Sequence, residues 1–512
     1  MDLILKKLFF VFNKMLPATL FSINLYGYKS ISVRLYTIFL LSPLFVLGQE
    51  QIGQDIDGEF PGDQSGWSVS SSSNGSVIAI GSPTNNGATG HVRVFENQLN
   101  SWVQLGTTIS GEAIGDRSGL SVSISADGNV LAIGAPRNNG NGNDSGHVRV
   151  YENQSGTWVQ IGQDIDGESA FNRFGTAVSL SSNGEIIAIG GPFNSANGSA
   201  SGHVRVYENQ SGTWVQIGQD IDGEGVDDFS GSSVSLSLNG NTVAVGAPFN
   251  DSNGNDSGHV RVYENQSGNW VQIGQDLNGE ASGDQFGSAV SLSFDGRILA
   301  IGAPFNNANG SASGHVRVYE NQFGNWVQIG DDIKGESGGD LSGWSLSLSA
   351  DGDILALSSP GYLSSRGHTR IYKYESGNWL QVGMNINGEF VGDFSGRSVD
   401  LASDGSTIFI GANRNNNDAG HVRAYDVFNL LSNNDFLLSQ NINIYPNPAR
   451  DTFRLDLKNG AQLKRINIYN HLGQFILSSN KQTVSSIDFT TGLYIIEILT
   501  DRGKSIKKLI IK

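Results

Sequence analysis

Seven of the eight histidines in this 512-residue chain recur at one spacing: His91, His147, His203, His259, His315, His368 and His421, at intervals of 56, 56, 56, 56, 53 and 53. Each follows a Gly, and an Arg stands two residues on (Arg93, Arg149, Arg205, Arg261, Arg317, Arg370, Arg423). A recurring Gly-Glu adds an acid to every unit, with Glu at 59, 112, 168, 224, 280, 336 and 389. An imidazole among acids could move a proton or hold a metal. Catalysis, however, needs unlike groups at one place and so breaks repeat symmetry. A set present in every unit is expected to pack and to form hydrogen bonds, with an ion pair inside each unit, as between Glu224 and Arg205.

Residues that do break the symmetry include Trp67, Trp344, Arg397, Arg137, Lys334, Arg366 and Tyr362, and none completes a triad or an acid pair, so no catalytic residue is assigned. Trp67, Trp344 and Arg397 share one column, the residue after the Gly that opens each unit; elsewhere it is Leu120, Thr176, Ser232 or Ser288. These three are the ligand-binding candidates. Indoles stack on sugar faces, and a guanidinium pairs with a carboxylate or lies between rings. The competing expectation is that large side chains fill space, since Trp67 shares a strand face with Val69. For a metal, Asp251, Asn253 and Asn255 stand at alternate positions, as oxygen ligands for calcium would. Against this, Asp256 replaces the turn Gly of an EF-hand loop and no Glu closes the site. No other cofactor is expected.

The units that position these residues each read as four short strands. In the third, alternation runs from Gly175 to Ser181, Asn183-Gly184 makes a tight turn, Ile186 to Ile189 follows, then His203 to Glu208 and Trp214 to Ile221. A further marker is Asp, once Asn, three residues before a Gly: Asp63, Asp116, Asn172, Asp228, Asp284, Asp340 and Asp393. Seven such units predict an all-β, seven-bladed β-propeller. Trp opens the fourth strand six times, at 102, 158, 214, 270, 326 and 379. The missing seventh strand is at the other end: Gln51 to Ile56 matches Gln160 to Ile165, so the N-terminal strand should pair with His421 to Asp426 and close the ring.

The loops between second and third strands are long in blades 2 to 5, with 11 residues from Pro136 to His147, and span 8 in blades 1, 6 and 7. The large column members belong to those same three blades and should lie in the order Trp344, Arg397, Trp67 near the channel mouth. Residues 49–428 carry 42 acids and 16 bases, which predicts an acidic, Asn-rich face and no nucleic-acid partner. There is no Cys, so disulfides and thiolate metal sites are excluded.

At the N-terminus, Lys29 and Arg34 precede the apolar run Leu35 to Leu47 and the small Gly48, which reads as a signal peptide over 1–48; the run is short for a bilayer span of about 20 residues. Residues 429–441 read as a linker. From 442 to 512 short alternating strands are expected at Thr452 to Leu457, Arg465 to Tyr469, Gln474 to Leu477, Ile487 to Phe489, Leu493 to Leu499 and Lys504 to Ile511, forming a small Ig-like β-sandwich.

Two resemblances follow. The repeats, with Phe286-Gly287, Asp295-Gly296 and Gly302-Ala303-Pro304, resemble FG-GAP repeats of integrin-like propellers over about residues 50–426. At the repeat position that opens each unit, Phe-Gly stands only at Phe174-Gly175 and Phe286-Gly287, and the family's acidic calcium loop is replaced by two-residue turns such as Asp127-Gly128. Tyr445-Pro446-Asn447-Pro448, Ile468 to Gln474, Gly492-Leu493-Tyr494 and Lys508 to Lys512 resemble the C-terminal sorting domain of type IX secretion. That implies export by the type IX machinery through residues 442–512, with the product secreted or held on the outer cell surface. The expectation is thus a monomeric, non-enzymatic binding or adhesion protein whose ligand is an extracellular polysaccharide or surface protein. The alternative is a secreted polysaccharide hydrolase or lyase.

Overall fold

In the computed structural model the described residues are 50–427, 442–458, 462–470, 475–487, 489–500 and 503–512. The proposed signal peptide, the linker and His471 to Gln474 lie outside them. The described part is all-β, and none of its helices is long and apolar enough to cross a membrane.

Residues 50–427 form seven antiparallel sheets of four or five strands. Sheet 3 shows the pattern. Ala177–Leu180 pairs with Ile186–Gly191, which pairs with His203–Asn209, which pairs with both Trp214–Gln216 and Ile221–Asp222. The fourth strand is therefore split. The break falls at Gly218, which has φ +73°, and the equivalent Gly162 shows why glycine is needed: a Cβ there would lie 2.8 Å from the Gly212 carbonyl oxygen and 2.9 Å from Cδ1 of Trp214. The closeness is useful, because the Trp214 indole N–H donates to the Ile161 carbonyl of the preceding sheet at 3.1 Å. All six tryptophans of this column make that bond, at 2.8 to 3.1 Å.

The core lies between sheets. One cluster, for example, joins Ala132, Val148 and Val150 of sheet 2 to Ile187, Ile189 and Tyr207 of sheet 3. The second and third strands are buried along most of their length, so they read as continuous apolar runs rather than alternations. The N-terminal strand Ile56–Asp57 pairs with His421–Asp426, with Ile56 opposite Val422 and Asp57 opposite His421, and the Ile52 N–H donates to the Ala424 carbonyl at 2.8 Å. Ile56 is buried with Ile80, Trp102, Phe409 and Val422.

Beyond residue 441 two sheets share one core. One holds Ile442–Tyr445, Thr452–Leu457 and Thr483–Ser485; the other holds Phe475–Ser479, Leu463–Asn470, Gly492–Thr500 and Gly503–Ile511. The strand expected at Ile487 to Phe489 is instead Thr483–Ser485. Ile487 is 68% exposed, and Phe489 reaches the core from a loop, stacked on Tyr494 at 5.0 Å.

Candidate functional site

The repeated histidines are 0–3% exposed and lie where neighbouring sheets meet. In five of them Nδ1 faces a carboxylate: His203 is 3.6 Å from Asp220, His421 is 3.5 Å from Asp55, and His259 is 3.9 Å from Glu224, with His147 and His368 placed alike. Burial and the adjacent arginine hold six of them below the usual imidazole range, His259 and His368 near about 4. Each repeated Arg fastens to a neighbour. Arg93, Arg149, Arg261, Arg370 and Arg423 donate to carbonyls of the preceding sheet at 2.6 to 3.0 Å.

The ion pairs run in a register different from the expected one. Arg205 pairs with Glu168 and with Asp220, and Glu224 pairs with Arg261 at 3.3 Å. Glu224 therefore does not meet Arg205. The Glu stands just past the last strand of one sheet and reaches the Arg of the next, so the pair ties two sheets together. Sets such as Glu168, His203 and Asp220 have ligand-type atoms close enough for a metal ion. In that set the guanidinium fork of Arg205 occupies both carboxylates, which neutralises the charge a cation would seek.

A second set of residues gathers at one end of the sheets. Each connection from one sheet to the next ends in a tight turn whose central residue is left-handed: Gln64, Arg117, Arg173, Phe229, Gln285, Leu341 and Phe394, at φ +49° to +58°. The marker Asp before it locks the turn. Asp63 accepts the Phe60 N–H at 2.9 Å and the Asn85 amide at 2.8 Å, and Asp116, Asp228, Asp284 and Asp393 meet Asn138, Asn250, Asn306 and Asn415 in the same way. Three residues on comes the column of Trp67, Trp344 and Arg397. A third column starts the loop after the second strand, and its backbone N–H bonds back to the marker residue: Arg137 to Asp116 at 3.2 Å, Phe193 to Asn172 at 3.4 Å, Arg414 to Asp393 at 3.2 Å.

These columns touch one another. Cζ of Arg397 is 4.0 Å from the Trp67 ring centroid and 5.4 Å from that of Trp344, so the guanidinium lies between two half-buried indoles. Phe305 meets Trp344 edge-on at 6.4 Å. Arg414 lies 4.6 Å over Phe394 and Arg173 lies 4.1 Å over Phe193, and Phe193, Phe229 and Phe249 continue edge to face at 4.9 and 5.1 Å. Burial, with repulsion from Arg414, pushes the Arg397 guanidinium down to about 10. The arrangement thus sets three guanidiniums against ring faces at one end of the sheets.

All three sequence candidates are thus in one place, with Arg397 between the indoles. Arg117, Arg173, Arg414 and the phenylalanines were missed. They show up once the seven units are aligned column by column, because the first column is aromatic or basic in four of the seven units and the third in five. Five arginines, Arg117, Arg137, Arg173, Arg397 and Arg414, stand on these three columns among the marker acids. At the candidate calcium loop, Asp251 accepts the Asp256 N–H at 2.9 Å, Asn253 donates to the Gly279 carbonyl at 2.8 Å, and Asn255 donates to Asp256 at 3.1 Å. Each of the three is engaged in stitching the loop.

Residues 443–512 match the secretion system C-terminal sorting domain, and residues 278–319 match the FG-GAP repeat. An endo-acting ulvan lyase of Formosa agariphila is 34% identical over 125 residues, which is 23% of this chain and 24% of that protein. The match thus spans about a quarter of that relative. Hydrazine synthase of Kuenenia stuttgartiensis aligns with 70% of this chain and 94% of its own, at 13% identity and a TM-score of 0.46. The chain therefore carries an FG-GAP repeat together with the sorting domain that marks proteins for type IX secretion to the cell surface or extracellular space.

Proposed function

We propose that residues 49–428 form a seven-bladed propeller closed by the N-terminal strand, and that the protein is a secreted, non-enzymatic binding or adhesion protein. Support for the ring comes from the first strands of the sheets, each of which contacts the next, with Ser398–Leu401 contacting Ser68–Ser71. Residues 429–441 then serve as a linker and 442–512 address the chain to the type IX machinery. The ligand is an extracellular polysaccharide or surface protein, held at the rim by Trp67, Arg397 and Trp344. The observation that carries this reading is the guanidinium between two half-exposed indoles, on rigid turns and outside any triad or acid pair. Trp67→Ala and Trp344→Ala should each weaken binding on a glycan array by about 1–3 kcal/mol while moving the melting temperature little. Variants that lose stability and keep full affinity would make the indoles packing residues instead. The quarter-length likeness to an ulvan lyase favours a second reading, polysaccharide cleavage. Reducing-end release at enzyme-like turnover by the purified protein would establish it.

A further inference from the structure

We propose that Arg117, Arg137 and Arg173 form an anion subsite that takes the sulfate or carboxylate groups of an acidic polysaccharide. This rests on the reading of the rim as a ligand-binding surface. The first support is where the positive charge lies. Residues 49–428 hold only 16 bases against 42 acids, and seven of the bases are the repeated arginines between sheets. Of the other nine, five (Arg117, Arg137, Arg173, Arg397 and Arg414) fall on the three rim columns, three of them in the neighbouring units 2 and 3.

The second support is the missing counter-ion. Arg149, Arg205, Arg261, Arg317 and Arg297 all have a carboxylate within ion-pair distance, while Arg117, Arg137 and Arg173 have none among the described residues. The Arg137 N–H to Asp116 bond ties the loop that Arg137 begins to the turn that holds Arg117, and the Arg173 N–H donates to the carbonyl of Asp144 in that same loop. Burial and repulsion from Arg137 and Arg173 depress the Arg117 guanidinium, against the opposing pull of Asp144. Three half-buried cations against the carboxylates of Asp144 and Asp116 leave a local excess that a bound anion relieves.

The third support is local sequence. The marker acid is neutral in one unit only, as Asn172, and its neighbour is Arg173. Cζ of Arg173 also lies 4.1 Å over the Phe193 ring, a contact that holds the guanidinium in place, and a guanidinium so held suits a two-pronged bond to a carboxylate or sulfate. A small basic patch in an acidic body suits a polymer with sparse charges on a neutral, hydroxyl-rich frame. A densely charged polyphosphate would meet the surrounding acids.

The test uses the full secreted protein against dextran sulfate, polygalacturonate and unmodified dextran over graded NaCl, with single-stranded DNA as a further arm. Binding to a charged glycan, weakening with salt, is expected. Arg117→Gln, Arg137→Gln and Arg173→Gln should each lower affinity about tenfold, and Arg173→Lys should lose part of it. Arg297→Gln, which removes the same charge from an exposed pair with Glu320, should leave binding unchanged. Melting temperatures within about 2 °C of the parent are expected, since these arginines make no internal ion pair; a variant that fails to fold is set aside in favour of the other two. Equal binding of unmodified dextran, rim variants indistinguishable from the parent, or preference for DNA would overturn the subsite. If tryptophan variants still weaken neutral-glycan binding, the rim reading survives that result. If no glycan binds at all, both fall.

Discussion

At six of the seven junctions between the first strands of neighbouring sheets a serine hydroxyl oxygen accepts the backbone N–H of the next sheet: Ser70 from Ile124, Ser123 from Leu180, Ser179 from Leu236, Ser235 from Leu292, Ser291 from Leu348 and Ser347 from Leu401, at 2.9 to 3.1 Å. At the seventh the residue is Asp400, which accepts both the N–H and the hydroxyl of Ser71, at 2.7 and 2.6 Å. Burial pushes its carboxyl up to about 6, above the ordinary 3.8. The folded state therefore binds this proton more tightly than the unfolded chain, and the residue's contribution to stability falls as pH rises from about 4 to 6. Asp400→Ser restores the side chain of the other six junctions. It should stabilise the protein by about 1–2 kcal/mol at pH 8 and give no gain near pH 4, read from thermal melts at the two values. A gain that is the same at both would remove the charge explanation. Comparing one column across units was enough to place Trp67, Arg397 and Trp344 side by side, as the structure has them. The expected pairing of Glu224 with Arg205 failed, because sequence nearness suggested a pair within one sheet while the geometry joins successive sheets.

Sheet-to-sheet contact is the common task of the repeated residues, and it sets the pH response. Six buried histidines are held below the imidazole range, and His259 and His368 stay neutral down to about 4. In the unfolded chain they take up protons near pH 6.5, so stability is full above that value and is lost as pH falls from 6.5 towards 4. A fully buried histidine shifted to about 4 is worth up to about 3 kcal/mol, so His259 and His368 together outweigh the opposite trend of Asp400. The melting temperature should drop steeply between pH 6.5 and 4, and His259→Gln with His368→Gln should flatten the drop while lowering the plateau. A flat profile from pH 7 to 4 in the parent would show that the histidines are charged when folded. Strand order within each unit was legible because the Asn183-Gly184 turn and the apolar runs are local signals. The split fourth strand was not, since the left-handed Gly218 does its work against Trp270 of the next sheet, a partner 52 residues away in sequence. At Ile487 to Phe489, apolar residues were mistaken for a strand; only Phe489 packs, and it does so from a loop.

For the whole molecule, two segments at opposite ends of the chain carry separable roles. The sorting domain has its own core of Ile442, Phe453, Leu455, Ile466, Ile468, Ile496 and Leu509, so removing residues 442–512 should leave the sheets of 50–427 folded while stopping export. Normal extracellular levels of that truncation would refute the address. The N-terminal strand is the opposite case, because it has no core of its own. Ile56 is 4% exposed in a cluster drawn from the first and seventh sheets, and the Ile52 carbonyl accepts the Trp102 indole N–H at 2.8 Å. Deleting residues 51–57 would strip those contacts, leave the N–H and C=O groups of His421–Asp426 unpaired on one side, and expose Val422 and Phe409. Burial of one Ile alone is worth about 1.5–3 kcal/mol, and each open backbone pair adds to the loss. A drop of at least about 5 kcal/mol is expected, with concentration-dependent aggregation through the free edge. A synthetic peptide of residues 49–60, added in excess, should refill the edge and raise the melting temperature in a saturable way, which distinguishes a missing strand from general damage. If the truncated chain melts like the parent and ignores the peptide, the pairing of Ile56 with Val422 contributes nothing to the fold, and the closed-ring reading falls with it.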